Sequence, residues 1–115
     1  MLKVLQELGE VEGVIGGLLV DTDGIPIAQN LDADADLVAA ACVQVVNSIR
    51  DALAKLEEED LVQALIEPAE GKVFLREVTG VGTLVALSKR NVNVGLIRLA
   101  MASAGEKIRA IRESL

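Results

Sequence analysis

The run from Asp34 to about Glu57 constrains this chain more than any other stretch. Its first half, Leu37-Val38-Ala39-Ala40-Ala41-Cys42-Val43, is continuously apolar, and helical spacing sorts the whole run into stripes. One stripe reads Val38, Cys42, Val45, Ile49, Leu53 and Leu56. A second reads Ala39, Val43 and Val46 and ends at Arg50, while Gln44, Ser48, Asp51 and Lys55 form a polar strip. A surface helix ordinarily has one apolar stripe, for one core. Two stripes mean either a helix deeply buried in one domain or one that packs on its own sheet and on a second copy of itself. Composition favours the second. Apolar residues make up 51% of the chain, and a domain of 115 residues has much surface to cover, so the surplus points to a subunit interface. The expected interface is Ala39, Val43, Val46 and Arg50, together with the strand that begins at Leu61 and carries Gln63.

The remaining elements are read from their boundaries. Leu2, Val4, Leu5 and Leu8 predict a short first helix ended by Gly9. Val14 to Val20 is a buried strand, with Gly16 and Gly17 marking the close approach of a helix across the sheet. Asp21-Thr22-Asp23-Gly24 is a turn: the aspartates bond nearby amides and Gly24 supplies a positive φ. Ile25 to Gln29 returns as an edge strand, since Pro26 has no N–H for a ladder. Asp32 or Asp34 caps the long helix. Its acidic end, Glu57-Glu58-Glu59-Asp60, is a solvated terminus. Three strands follow, Leu61 to Glu67, Lys72 to Val78 and Thr83 to Ser88, the last central because both of its faces are apolar. Their connections are too short for parallel crossovers. Asn93 caps a last helix with Ile97, Met101, Ala104, Ile108 and Ile111 on one side. The order αββαβββα in a single domain, 1–115, predicts one antiparallel sheet with helices on both faces.

Several functions are disfavoured. A net charge of −7 repels nucleic acid, and a lone aromatic, Phe74, offers no stacking platform for single strands. The longest charge-free run, Leu37 to Ile49, has 13 residues, short of the ~20 a membrane span needs, so no membrane insertion is expected. The N-terminus has no signal-peptide pattern, and a cytoplasmic location fits a single cysteine on an apolar helix face. With no histidine, the commonest general base and the usual zinc sets are missing. The Asp21–Asp23 turn lacks the further ligands of a calcium loop, and no phosphate loop is present. No catalytic residue, cofactor or metal is therefore expected.

Three stretches carry a resemblance: Glu12-Gly13-Val14-Ile15-Gly16-Gly17-Leu18-Leu19-Val20, the turn Asp23-Gly24-Ile25-Pro26-Ile27-Ala28, and Gly80-Val81-Gly82-Thr83-Leu84-Val85-Ala86-Leu87 followed by Asn93-Val94-Gly95-Leu96-Ile97-Arg98. In this order they resemble the Roadblock family, named for a dynein light chain. The resemblance implies a five-stranded antiparallel sheet of the profilin/longin-like α+β class, with the central helix on one face and the outer helices on the other. It implies homo- or heterodimers with paired central helices and sheets joined edge to edge. It also implies a non-enzymatic platform for a small Ras-like GTPase or, alternatively, an adaptor subunit that joins other proteins without touching nucleotide chemistry. On such a platform Gln44, Asn47, Ser48 and Asp51 would meet the GTPase. Of the six arginines, Arg50 and Arg90 are the two candidates for a catalytic finger, and neither position suits one: Arg50 is on a regular helix, where pairing with an acid such as Asp51 or with a partner residue is expected, and Arg90 beside Lys89 reads as solvated surface.

Overall fold

The computed structural model describes residues 1–58 and 60–115; Glu59, part of the acidic run, lies outside the described residues. The element order is α1 (Leu2–Gly9), β1 (Val14–Asp21), β2 (Pro26–Asn30), α2 (Ala35–Lys55), β3 (Gln63–Ile66), β4 (Lys72–Val78), β5 (Gly82–Ser88) and α3 (Val94–Glu113). The strands form one antiparallel sheet in the order β2-β1-β5-β4-β3. This is the five-stranded α+β arrangement that the sequence predicts.

Local chemistry sets the boundaries. In the β1–β2 turn the Asp21 Oδ1 accepts from the N–H groups of Asp23, at 2.9 Å, and Ile25, at 3.0 Å, and Gly24 closes the turn at φ +85°. The side chain of Asp34 starts α2 by accepting from the amides of Asp36 and Leu37 at 3.1 and 3.2 Å. Asn93 does the same for α3, accepting from Leu96 at 3.0 Å. Each cap satisfies amides that a helix start otherwise leaves without partners. Pro26 places β2 at an edge, and its pairing with β1 is further broken by a register shift between Leu19 and Val20.

Alternation along the strands divides the interior into two cores. Leu19, Phe74, Leu84 and Ala86 face α1 and α3, which bury Leu5, Leu8, Ile97, Met101 and Ile108 against them. Leu18, Val20, Leu75 and Val85 face α2. A Cβ at Gly17 would make only ordinary contacts with Leu5 Cδ2 and Leu8 Cδ2, at 3.5 and 3.7 Å, whereas one at Gly16 would lie 2.7 Å from the carbonyl oxygen of Asn30, so the backbone that passes close to these glycines is the end of β2 and not a helix. One residue departs from the expected buried strand. The β1–β5 register slips between Val14 and Gly16, so Ile15 is the extra residue of a bulge and is 61% exposed.

Candidate functional site

The helix with the most to explain is α2. One stripe of it, Ala39, Cys42 and Val46, is buried on the chain's own sheet at 0%, 8% and 3% exposure. This corrects the sequence expectation, which put Ala39 and Val46 at a subunit interface. Both lie within the fold, where a second copy cannot reach them. Val43 is half-buried beside the β1–β2 turn, and a Cβ on Gly24 would sit 3.4 Å from its Cγ2. The physical reason lies in two features. Ala39, the smallest side chain on either stripe, lets the helix axis settle near the sheet, and an ion pair fixes its rotation.

That pair is Arg50 with Glu77 on β4. The guanidinium Nη2 donates to Glu77 Oε2, and Glu77 Oε1 accepts from Thr83 Oγ1 on β5 at 2.6 Å. Thr83 is buried and the Glu77 side chain nearly so. Arg50 is thus tied to its own sheet, not to Asp51 or a second copy. With the Arg50 side chain 41% exposed, the pair serves to orient the helix on the sheet more than to stabilise the fold.

The adjacent flank of α2 is left uncovered. The helix packs over β1 and β2, and the same sheet face is less covered toward β3, where Ala64 and Val73 are half-buried and Ile66 is exposed. Leu37, Val38, Ala41 and Val45 on the helix and Ile66, Val73 and Leu87 on the strands line a wholly apolar groove of about 350 Å³. Leu37 is 68% exposed and Ile66 37%. Leu37, Ala41, Val45, Ser48, Ala52 and Leu56 continue the flank in steps of three and four, without a charge. The sequence reading missed this seam because Leu37 and Ala41 were in neither stripe; their place in the unbroken apolar run was the available signal.

At the rim of the groove β3 is the free edge of the sheet. Leu61 is half-buried and Gln63 exposed, its Oε1 accepting from Arg76 Nη1 at 3.3 Å. On the side away from the sheet, Gln44, Asn47, Ser48 and Asp51 are all exposed. They form a polar strip along the top of α2. Arg90 is exposed in the loop before α3.

Among the described residues no group of His, Cys, Asp and Glu is placed to hold a metal ion, and no buried side-chain nitrogen or oxygen lacks a hydrogen-bond partner. Burial raises the pKa of the Cys42 thiol, which keeps it protonated and unreactive. By length and mean hydropathy, 1.4, Ala35–Lys55 could cross a membrane, yet its inner stripe packs on the sheet. Beyond that stripe, Leu37, Ala40 and Ala41 are apolar residues of the helix that remain exposed.

Residues 1–88 match the Roadblock/LC7 domain. Three uncharacterized proteins of Methanocaldococcus jannaschii, MJ1340, MJ0310 and MJ0714, are 38%, 37% and 36% identical over 111 residues, 95% of this chain and 96%, 96% and 93% of theirs. In structure the chain is similar to Myxococcus xanthus MglB, with a TM-score of 0.92 at 21% identity over 99% of this chain and 95% of that one. It is equally similar to a Roadblock/LC7 domain from Streptomyces avermitilis, with a TM-score of 0.92 at 20% identity over 98% of each chain. The gliding protein MglB of Thermus thermophilus gives a TM-score of 0.87 at 20% identity, over 98% of this chain and 88% of that one. At these identities the structural likenesses speak to the fold.

Proposed function

The chain belongs to the Roadblock/LC7 domain family, and on that premise we propose that it is a non-catalytic homodimeric platform that docks a small Ras-like GTPase and biases its nucleotide state. The observation that carries this reading is the uncovered apolar flank of α2 beside the free β3 edge. A second copy, related by a two-fold axis, presents the same flank and the same edge, and each covers what the other leaves open. The groove sits where the sequence placed an interface, but its residues are Leu37, Val38, Ala41 and Val45 in place of Ala39 and Val46. Val43 and Arg50 already have contacts within the chain, and Leu61 and Gln63 remain at the rim.

With α2 paired in this way, Gln44, Asn47, Ser48 and Asp51 of both copies line one outward strip, with hydrogen-bonding groups and little charge. Such a strip suits a protein surface that is read by shape, and its effect on a GTPase is to favour one arrangement of the switch loops. Arg50 is held by Glu77 and is unsuited to act as a finger in trans. An inserted arginine is worth roughly 10³–10⁵ in hydrolysis rate. Single-turnover GTP hydrolysis with saturating Arg50→Ala or Arg90→Ala should therefore differ little from that with the unaltered protein. A thousandfold loss with either, binding unchanged, would overturn the platform mechanism.

The dimer itself is tested by Ala41→Asp. In this reading the new carboxylate becomes buried against the second copy without a partner, a heavily penalised state, while the monomer fold is untouched. Sedimentation should show a folded monomer; an unchanged dimer would remove the groove from the interface. The second reading, an adaptor indifferent to nucleotide, is separated by pull-down with a GTPase loaded with GDP or with a GTP analogue. State-dependent capture supports regulation and equal capture supports the adaptor.

A further inference from the structure

Charge is spread very unevenly along this chain. Residues 89–115 hold six of the eleven Lys and Arg and two of the eighteen Asp and Glu, a net of +4, which leaves residues 1–88 at −11. We propose that the flank of α3 nearest β3 and β4 is a docking surface for an acidic, extended segment of a partner protein, one of whose carboxylates enters the cavity between Arg76 and Arg109. This flank lies across the sheet from α2, so the inference depends on neither the homodimer nor the GTPase reading.

Helical spacing builds the surface. Arg98, Ala102, Gly105, Arg109 and Arg112 follow one another along α3 in steps of four and three, which sets them on one line down the helix. At 1.5 Å per residue that line is about 21 Å long. Where it passes its small residues, β4 supplies the charge. Gly105 is buried, and a Cβ on it would lie 3.8 Å from Arg76 Nε and 3.9 Å from Arg76 Cδ. Arg76 and Arg109, with Leu61, Val62 and Thr79, line a cavity of about 170 Å³. Two carboxylates also border it. Glu77 turns its own to Arg50 and Thr83, and Glu106 accepts from Arg109 Nη2 at 2.7 Å.

Most of the positive charge on this line has no counterpart. Four ion pairs occur among the described residues, and none includes Arg76, Arg98 or Arg112. Arg76 is half-buried, and its one side-chain hydrogen bond among those residues runs from Nη1 to Gln63 Oε1 at 3.3 Å. Most of its five N–H donors are left for a ligand. The Arg109–Glu106 pair is exposed, and such pairs are weak enough to exchange for an incoming carboxylate. The helix dipole favours cations in the last turn and so accounts for Arg112. It does not account for Arg98, near the positive end of α3, or for Arg76 on a strand. An acidic ligand accounts for all of them. Every cation on the line is an arginine, whose planar fork takes a carboxylate through two parallel hydrogen bonds, while Lys107 is turned to Glu7 on α1 at 3.0 Å. The line is narrow, with Glu106 and Glu113 beside it on the same helix. A duplex or a flat lipid surface would meet those carboxylates too, whereas a single acidic segment can follow the arginines alone. About six extended residues, at ~3.3 Å each, match its length.

Fluorescence anisotropy with a labelled hexaglutamate peptide, a chain that self-repulsion keeps extended, tests the surface. Hexaglutamine is the uncharged control. At low salt, where screening is weak, hexaglutamate should bind and hexaglutamine should not. Arg76→Gln and Arg109→Gln should each weaken binding about tenfold or more. Arg76→Lys should recover only part of that loss, because it keeps the charge without the fork. Arg90→Gln removes the same charge from the loop before α3 and should leave binding unchanged. Arg109 is exposed, so its variant reports on the site even where Arg76→Gln disturbs the fold. No binding of hexaglutamate would overturn the proposal, and so would equal weakening by Arg90→Gln and Arg109→Gln, which would reduce the effect to overall charge. Capture on phosphatidylserine vesicles that is lost in Arg109→Gln, with no peptide binding, would overturn the acidic segment in favour of a lipid surface.

Discussion

Glu57 is the one described residue other than glycine with a positive φ, at +58°. It follows α2, where its amide bonds the carbonyl of Ala54 at 3.1 Å and the next amide, of Glu58, reaches Leu53 at 3.0 Å. This is the position where helices usually carry glycine, and a carboxylate there also opposes the negative end of the helix dipole. Glu57→Gly should raise stability by about 0.5–1 kcal/mol, read as a higher urea midpoint with an unchanged slope. A lower midpoint would mean that the side chain has a stabilising contact. Cys42 predicts a pH effect of defined sign. Its thiol pKa is raised in the fold by burial, so its contribution to stability is whole below the ordinary thiol pKa and is lost as pH rises through it. The fall in urea midpoint from pH 7 to pH 10 should be smaller in Cys42→Ala than in the unaltered chain. An identical fall in both would show that the thiol ionises freely.

For the elements, the sequence is most legible where the determinants are local. Asp34 and Asn93 cap helices, Gly24 turns a hairpin and Pro26 marks an edge, all through contacts within a few residues. The core under α3 is legible for the same reason: the single apolar stripe of that helix, with Ile97, Met101 and Ile108, leaves one way to face the sheet. Ile108→Ala should lower stability by about 2–5 kcal/mol and leave the dissociation constant of the dimer unchanged, measured by sedimentation at low denaturant. A parallel loss of both would move the interface to α3. The rotation of α2 was not legible. Its stripes Ala39–Val43–Val46 and Val38–Cys42–Val45 are adjacent and equally apolar, and spacing cannot say which meets the sheet. The deciding contact, Arg50 with Glu77, joins residues 27 apart in sequence. The bulge at Ile15 is equally hidden, because it is a property of the β1–β5 pairing and not of either strand alone.

At the scale of the whole molecule, each chain carries a net charge of −7, while the groove flank of α2 and the residues under it are uncharged. In the proposed dimer, association brings two like-charged bodies together through a neutral seam. Salt screens the repulsion, with the Debye length shrinking from about 30 Å at 0.01 M to about 8 Å at 0.15 M. The proposed dimer should tighten as salt is raised over that range, because the groove flank brings no charge pair for salt to weaken. Looser association at higher salt would mean that attraction between charges, and not apolar contact, holds the copies together.

The interrupted, proline-bearing β2 strand at the far side of the sheet has a consequence for how many chains can assemble. In the proposed dimer it limits each chain to one pairing edge. A chain able to bond at both sides would polymerise; here Pro26 withholds a donor, the β1–β2 register shifts between Leu19 and Val20, and Gln29 turns its side chain back to accept from the amide of Leu31 at 2.8 Å. In the proposed dimer, growth through the sheet would therefore stop at two. The same feature that makes β2 a poor template would make the proposed pair a finite object, with no open sheet edge on which a fibre could nucleate.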